Sequence, residues 1–150
     1  MVMIEVGPGI ELEAPEGVDL VPVDLGEPDE GAGVPTWQAG DGAGLFVTVS
    51  EEERGGDPLP EVFGRWVSAY ERDREAEVVV IASPPVAGAT RARSGRLDLL
   101  SDAGEPLGLV ILMAERGEGP RVTVQVTWPL LGPDRFEEAN ALAMGLDLVG

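Results

Sequence analysis

Three β-favouring segments at residues 89–100, 109–114 and 121–128 are separated only by the stretches SDAGEPLG and ERGEGP, and this spacing constrains the fold more than any other feature. Parallel pairing needs a crossover of about a dozen residues or more, so segments this close in the chain pair antiparallel, as a meander. Leu109–Ala114 is apolar at every position, the pattern of a strand covered on both faces. Val122, Val124, Val126 and Trp128 alternate instead with Thr123, Gln125 and Thr127, as a half-buried strand does. Val78–Ala82 also lacks a polar alternate, so it reads as an interior strand, ended by Ser83-Pro84-Pro85 because proline cannot donate to a ladder. One antiparallel sheet containing the segments near 78–82, 90–100, 109–115 and 121–128 is expected.

Upstream, residues 10–25 (IELEAPEGVDLVPVDL) read as a hairpin about the turn Pro15-Glu16-Gly17, and residues 44–50 (GLFVTVS) as a half-buried strand. Residues 26–43 between them are rich in Gly, Pro and acids and read as a long exposed loop, with Trp37 as its anchor or an exposed contact. Two helices are signalled. Asp57 as N-cap and Pro58 as first residue open one, whose stripe of Val62, Trp66, Ala69 and Tyr70 is widened by Phe63 and Val67. Phe63, Trp66 and Tyr70 are expected mainly in the core. Asp134 is placed to cap the other, which carries Phe136, Ala139 and Ala143 on one face and stops at Gly145, before the apolar tail Leu146–Val149. The expected class is α+β, with helices packed on an antiparallel sheet in a single domain over residues 1–150.

The alphabet excludes much chemistry. All 10 basic residues are arginine, and no lysine, histidine or cysteine is present. A Schiff-base lysine, a histidine base, a cysteine nucleophile and the usual Cys/His zinc site therefore cannot be built. Without cysteine there is no disulfide and no sign of an oxidising compartment. Residues 1–17 lack the basic region and long apolar run of a signal peptide, no stretch approaches a membrane span, and a cytoplasmic location is the simplest expectation. Acids outnumber arginines 28 to 10, for a net charge of −18, which repels nucleic acid and anionic membrane. The excess is uneven: residues 1–64 carry 15 acids and one arginine, residues 65–100 five acids and six arginines, and residues 101–150 eight acids and three arginines.

Arg91, Arg93 and Arg96 lie in the near-neutral middle stretch. Strict alternation would set Arg91 and Arg93 on the same face as Leu97 and Leu99, whereas a bulge at Ser94-Gly95 would turn Ala92, Leu97 and Leu99 inward and the arginines and Asp98 outward. On that reading the arginines form one exposed face, either pairing with cross-strand acids or receiving carboxylates of a partner. Arg91, Arg93, Arg96 and Trp37 are the candidate partner-binding residues. Glu51, Glu52, Glu53 and Asp57 lack the spacing of a calcium loop and read as a solvated charge run. The glycines of GPGIELEAPEG lack the following helix that a phosphate loop requires, and Glu137 and Glu138 are adjacent on a helix and diverge. No catalytic residue, cofactor or metal is implied.

The order of features resembles that of the PsbP-like superfamily, which includes the Ran-binding Mog proteins and the secretion-associated Eag chaperones. The resemblance is carried by APEGVDLV, with Val18 where the pattern has tryptophan, by GATRARSGRLDL from Gly88, by VTVQVTWPL and by RFEEANALAMGLDL. It implies an α/β/α sandwich around an antiparallel sheet and a non-catalytic accessory role. The expected function is protein binding, as a chaperone or adaptor for a secreted or membrane-destined effector, with a homodimer among the expected assemblies. The alternative is an acidic inhibitor or immunity-type protein that covers a basic target.

Overall fold

A computed structural model describes residues 2–7, 9–15, 17–22, 36–53, 55–117 and 119–148. Its elements run β1 (Val2–Gly7), β2 (Ile10–Ala14), β3 (Val21–Pro22), β4 (Thr36–Gly40), β5 (Phe46–Glu52), α1 (Leu59–Asp73) and β6 (Glu77–Ala82). They continue through β7 (Arg91–Leu100), β8 (Pro106–Glu115), β9 (Arg121–Pro129), α2 (Phe136–Met144) and β10 (Leu146–Leu148). The architecture is α+β. Seven strands form an antiparallel sheet in the order β3-β4-β5-β9-β8-β7-β6, and three more form a small antiparallel sheet in the order β1-β2-β10.

The apolar run 109–114 lies at the heart of β8, where a strand with no polar face belongs. On one side Leu109, Ile111 and Met113 join Leu97 and Leu99 of β7 beneath Leu59, Val62, Phe63 and Val67 of α1. On the other, Val110, Leu112 and Ala114 join Val122, Val124, Val126 and Trp128 of β9. These meet Ile10 and Leu12 of β2, Leu146 and Leu148 of β10, and Ala139, Leu142 and Ala143 of α2. The layers are therefore α1, the large sheet, and the small sheet with α2. The expected meander forms in continuous register, from Arg91↔Glu115 to Leu100↔Pro106 and from Leu107↔Pro129 to Glu115↔Arg121.

Close packing in both layers uses glycine. Gly108 pairs directly with Trp128, and a β-carbon on it would lie 2.3 Å from the indole ring. Gly95 leaves room for Phe63, whose ring a β-carbon there would approach to 3.1 Å.

Several local expectations give way to longer-range pairing. Residues 10–22 are not a hairpin: β2 pairs with β1 and β10, whereas β3 pairs with β4, and residues 23–25 of that expectation lie outside the described residues. The turn at Gly9 supplies the hairpin one strand earlier, and Val18 is buried in the core after the Pro15–Val18 turn. Of the proposed loop 26–43, residues 26–35 lie outside the described residues, while Thr36–Gly40 is a strand paired along its length with β5. Asp57 does not cap α1. Pro58 holds the N-cap position in extended conformation, and Asp57 accepts instead from Arg65 at 2.7 Å. Asp134 sits one residue before the N-cap of α2 and accepts the Phe136 N–H at 3.1 Å. The tail after Gly145 becomes β10, whose register sets Leu146 opposite Leu12.

Two ion clusters tie elements together. Arg121 at the start of β9 is 3% exposed and donates to Glu115 of β8 at 3.1 Å and to Glu52 of β5 at 3.0 Å. Arg135 joins Asp41 at 2.7 Å and also pairs with Glu138. Burial raises the affinity of Asp41 for its proton, but the N–H groups of Ala43 and Leu45 and the Arg135 guanidinium outweigh it and hold the carboxyl below its ordinary value.

Gly108→Ala is expected to lower the urea unfolding midpoint, at a cost of about 1–3 kcal/mol or more, because the indole has nowhere to move. Gly64→Ala, in α1 with nothing near the added carbon, should stabilise by about 0.5–1 kcal/mol. Asp41 should contribute stability above the ordinary carboxyl pKa of 3.8, lost as pH falls through its lowered native value. Asp41→Asn should therefore flatten the acid limb of the stability curve below that pH, as followed by thermal unfolding across a pH series.

Candidate functional site

The arginine strand keeps strict alternation. β7 pairs with β8 without a register shift, so Arg91 and Arg93 share the α1 face with Leu97 and Leu99, and Arg96 and Asp98 point to the opposite layer. The expected bulge at Ser94-Gly95 is absent, and the irregularity falls on the neighbouring strand, where Val79 is the extra residue between the pairs Val78↔Leu97 and Val80↔Arg96. Alternation is tolerated because the sheet is covered on both sides: Leu97 and Leu99 lie under α1, while Arg91 and Arg93 reach its N-terminal end. Arg91, Arg93 and Arg96 therefore do not form one face.

Arg96 is held in the structure. Its guanidinium carbon lies 4.5 Å from the Phe136 ring centroid and 5.5 Å from that of Trp128, and its Nε is 3.6 Å from Asp98 Oδ1. Two aromatic faces and one carboxylate surround the cation between the large sheet and α2, while its Nε and Asp98 Oδ1 are buried without a hydrogen bond among the described residues. Trp37 is on β4, half-buried against the same core, with β5, β9 and β8 between it and β7. It anchors a strand rather than a loop and shares no site with the arginines.

Arg91 and Arg93 are different. Arg93 lies 5.9 Å from the Phe63 ring centroid, and neither arginine has a carboxylate partner among the described residues. By contrast, Arg65, Arg72, Arg74, Arg96, Arg121 and Arg135 each meet an acid. In a chain with 28 acids and 10 bases, Arg91 and Arg93 stand out among the described residues for making no ion pair. Together with Leu59, Pro60, Ser83 and Ala92 they line an open cavity of about 310 Å³ at the end of β6.

β6 is the second component of this site. The sequence places it in the interior, but it is the outermost strand of the sheet and exposed along its whole length. Val78, Val79, Val80 and Ile81 are 40%, 52%, 50% and 41% exposed. Its register sets Val78 and Ile81 on the α1 face and Val80 on the other, so neither face is covered. A run of valines carries no signal in the sequence that separates a centre from an edge. The cavity and this strip form one continuous surface, apolar along β6 and cationic beyond its end.

A larger opening of about 600 Å³ lies between α1 and the loop after β7, lined by Trp66, Tyr70, Arg65, Arg74, Asp73 and Asp102. Phe63 is in the core as expected, but Trp66 and Tyr70 are only half-buried at its rim, and Tyr70 donates to Gln125. Burial pushes the Tyr70 phenol above its ordinary value. The arginines here are already paired, Arg65 with Asp57 and Arg74 with Asp102. The acids at 51–57 are also committed in part, Glu52 to Arg121 and Asp57 to Arg65, with Arg54 outside the described residues. Among the described residues no group of three acids is placed to hold a metal ion, and no helix is long and apolar enough to cross a membrane.

The two settings predict different costs. Arg96→Ser should destabilise by about 1–2 kcal/mol through loss of two cation–π contacts. Arg91→Ser should cost no more than about 0.5 kcal/mol, as ordinary surface substitutions do. Denaturant unfolding of the separate variants checks this difference.

No protein-family model matches the chain, and no curated protein matches it. Solved structures do share its fold. PA94 from Pseudomonas aeruginosa, a protein of unknown function, aligns at TM-score 0.51 and 14% identity over 81% of this chain and 78% of its own. LpqN from Mycobacterium tuberculosis, involved in cell envelope biogenesis, aligns at TM-score 0.56 and 11% identity over 99% of this chain and 90% of its own. At such identities the likeness is one of fold.

Proposed function

We propose that the chain is a non-catalytic protein-binding accessory module, an adaptor or chaperone for a second protein, and that it meets that protein along β6. One observation carries the reading: four consecutive apolar residues, Val78–Ile81, stand exposed on a sheet edge. Such an edge is a template for pairing and an aggregation hazard unless something covers it. Among the described residues this surface presents apolar side chains and two guanidinium groups, chemistry suited to binding. The order of elements from Gly88 to the terminal helix supports the PsbP-like resemblance, whose members include chaperones. An effector with apolar segments in need of cover before delivery suits this edge.

The test compares the wild-type chain with Val79→Glu/Ile81→Glu as bait in extract of its own cells, at low and high salt. A protein held by the wild type and released by the variant, with little response to salt, is expected. A partner held equally by both, and lost steeply as salt rises, would overturn the reading in favour of an acidic inhibitor acting through residues 1–64.

A further inference from the structure

We infer that the segment bound at β6 is an extended strand of the partner protein, added as a further strand to the seven-stranded sheet, and that it delivers a carboxylate to Arg91 and Arg93. The inference rests on the reading of β6 as a protein-binding edge and adds the conformation and charge of what binds there.

Among the described residues β6 pairs with β7 on one side only, and no strand lies beside its other row of backbone N–H and C=O groups. Natural edges are usually blunted by lysine, proline, an inward charge or a bulge. Here lysine is absent from the chain, no proline lies within the strand, and its one charge, Glu77, stands at its start, so the bulge at Val79 is the one such device that β6 carries. Main-chain pairing along such an edge gives affinity, while side chains flanking it give selectivity.

The cation site lies where an added strand would pass. The last β6–β7 pair is Ala82↔Ser94, after which the chain leaves the sheet at Ser83-Pro84-Pro85. β7 runs on through Arg93, Ala92 and Arg91, still paired with β8 but with no strand on its outer side. A strand added outside Val78–Ile81 lies two strand spacings, roughly 10 Å, from β7, so where β6 ends its next residues can turn inward over the open end of β7 and bring an acid to the two guanidinium groups, which make no ion pair among the described residues. Their forked donors match a carboxylate.

Two features favour a separate, flexible segment over a second copy of this chain. The bulge at Val79 kinks β6 at its middle, and an antiparallel copy would set its own bulge against it. Each copy also carries a net charge of −18, which opposes self-association. A short extended segment has neither obstacle: it follows the kink and brings its acid only where the cations are.

The probe is a capped peptide alternating Val and Thr with Glu at both ends, compared with the same peptide flanked by Gln and with the Glu peptide N-methylated at alternate residues along each edge. The Glu peptide should bind the full chain, the Gln peptide about tenfold more weakly, and the N-methylated peptides not at all. Arg91→Ser/Arg93→Ser, shown by circular dichroism and unfolding midpoint to stay folded, should bind Glu and Gln peptides alike, and Arg91→Lys/Arg93→Lys should fall between. No binding of the Glu peptide, equal binding of the N-methylated peptides, or a Glu preference that survives in the serine variant would overturn the inference. So would a dimer in sedimentation velocity that Val79→Glu/Ile81→Glu dissolves. If the peptides fail while capture of the partner still depends on Val79 and Ile81, strand addition alone falls; if capture ignores those residues, the broader reading falls as well.

Discussion

The whole fold depends on β8 having no polar side. Leu109, Ile111 and Met113 face α1, and Val110, Leu112 and Ala114 face the second layer, all at 0% or 1% exposure. Each such side chain beyond alanine is worth roughly 1.5–3 kcal/mol when fully buried. The strand is stable only with cover on both sides, and that requirement recruits α1 to one face and the small sheet with α2 to the other. The gaps are closed by glycine: Gly108 admits the indole of Trp128, and Gly95 admits the ring of Phe63. Moving outward from β8 the demand for cover falls, until β6 is left with little on either face.

Charge follows the same geometry. An excess of acids gives Arg65, Arg72, Arg74, Arg96, Arg121 and Arg135 a carboxylate within reach, and the fold uses such pairs where elements must be joined: Arg121 across β9, β8 and β5, and Arg135 between the turn at Asp41 and α2. Arg96 goes further and spends its charge on two aromatic rings. Arg91 and Arg93 fall outside this pattern because the strand beside them has ended and the helix above them is just beginning. Their position at the corner of the sheet, rather than their spacing in the sequence, makes them available.

The meander was legible because connections as short as RGEGP allow one topology, and the inward row of Val122, Val124, Val126 and Trp128 because alternation reports a face directly, although Thr123 on the opposite face is buried as well. The class, both helices and the burial of Phe63 followed from periodicity. What was hidden is long-range. A run such as Val78–Ile81 looks the same at the centre of a sheet and at its margin, since hydrophobicity records a liking for cover and not the neighbour that supplies it. The partners of β2, β3 and β10 depend on residues far along the chain, which local turn signals at Pro15 and Gly17 cannot register. The arginines were misplaced for a related reason: alternation looked untenable for a sheet with one buried face, and this sheet has two.

The pairing of β10 with β2 ties the order of synthesis to the order of folding. Leu146 and Leu148 sit opposite Leu12 and Ile10, so β2 waits for residues far along the chain before its free side is filled. Until then Val110, Leu112 and Val124 have emerged without their full roof. A ribosome that stops short of Leu146 therefore releases a chain with an open apolar sheet face, the kind of surface that chaperones and proteases engage. The arrival of β10 is registered in the fold itself, by a strand of three residues.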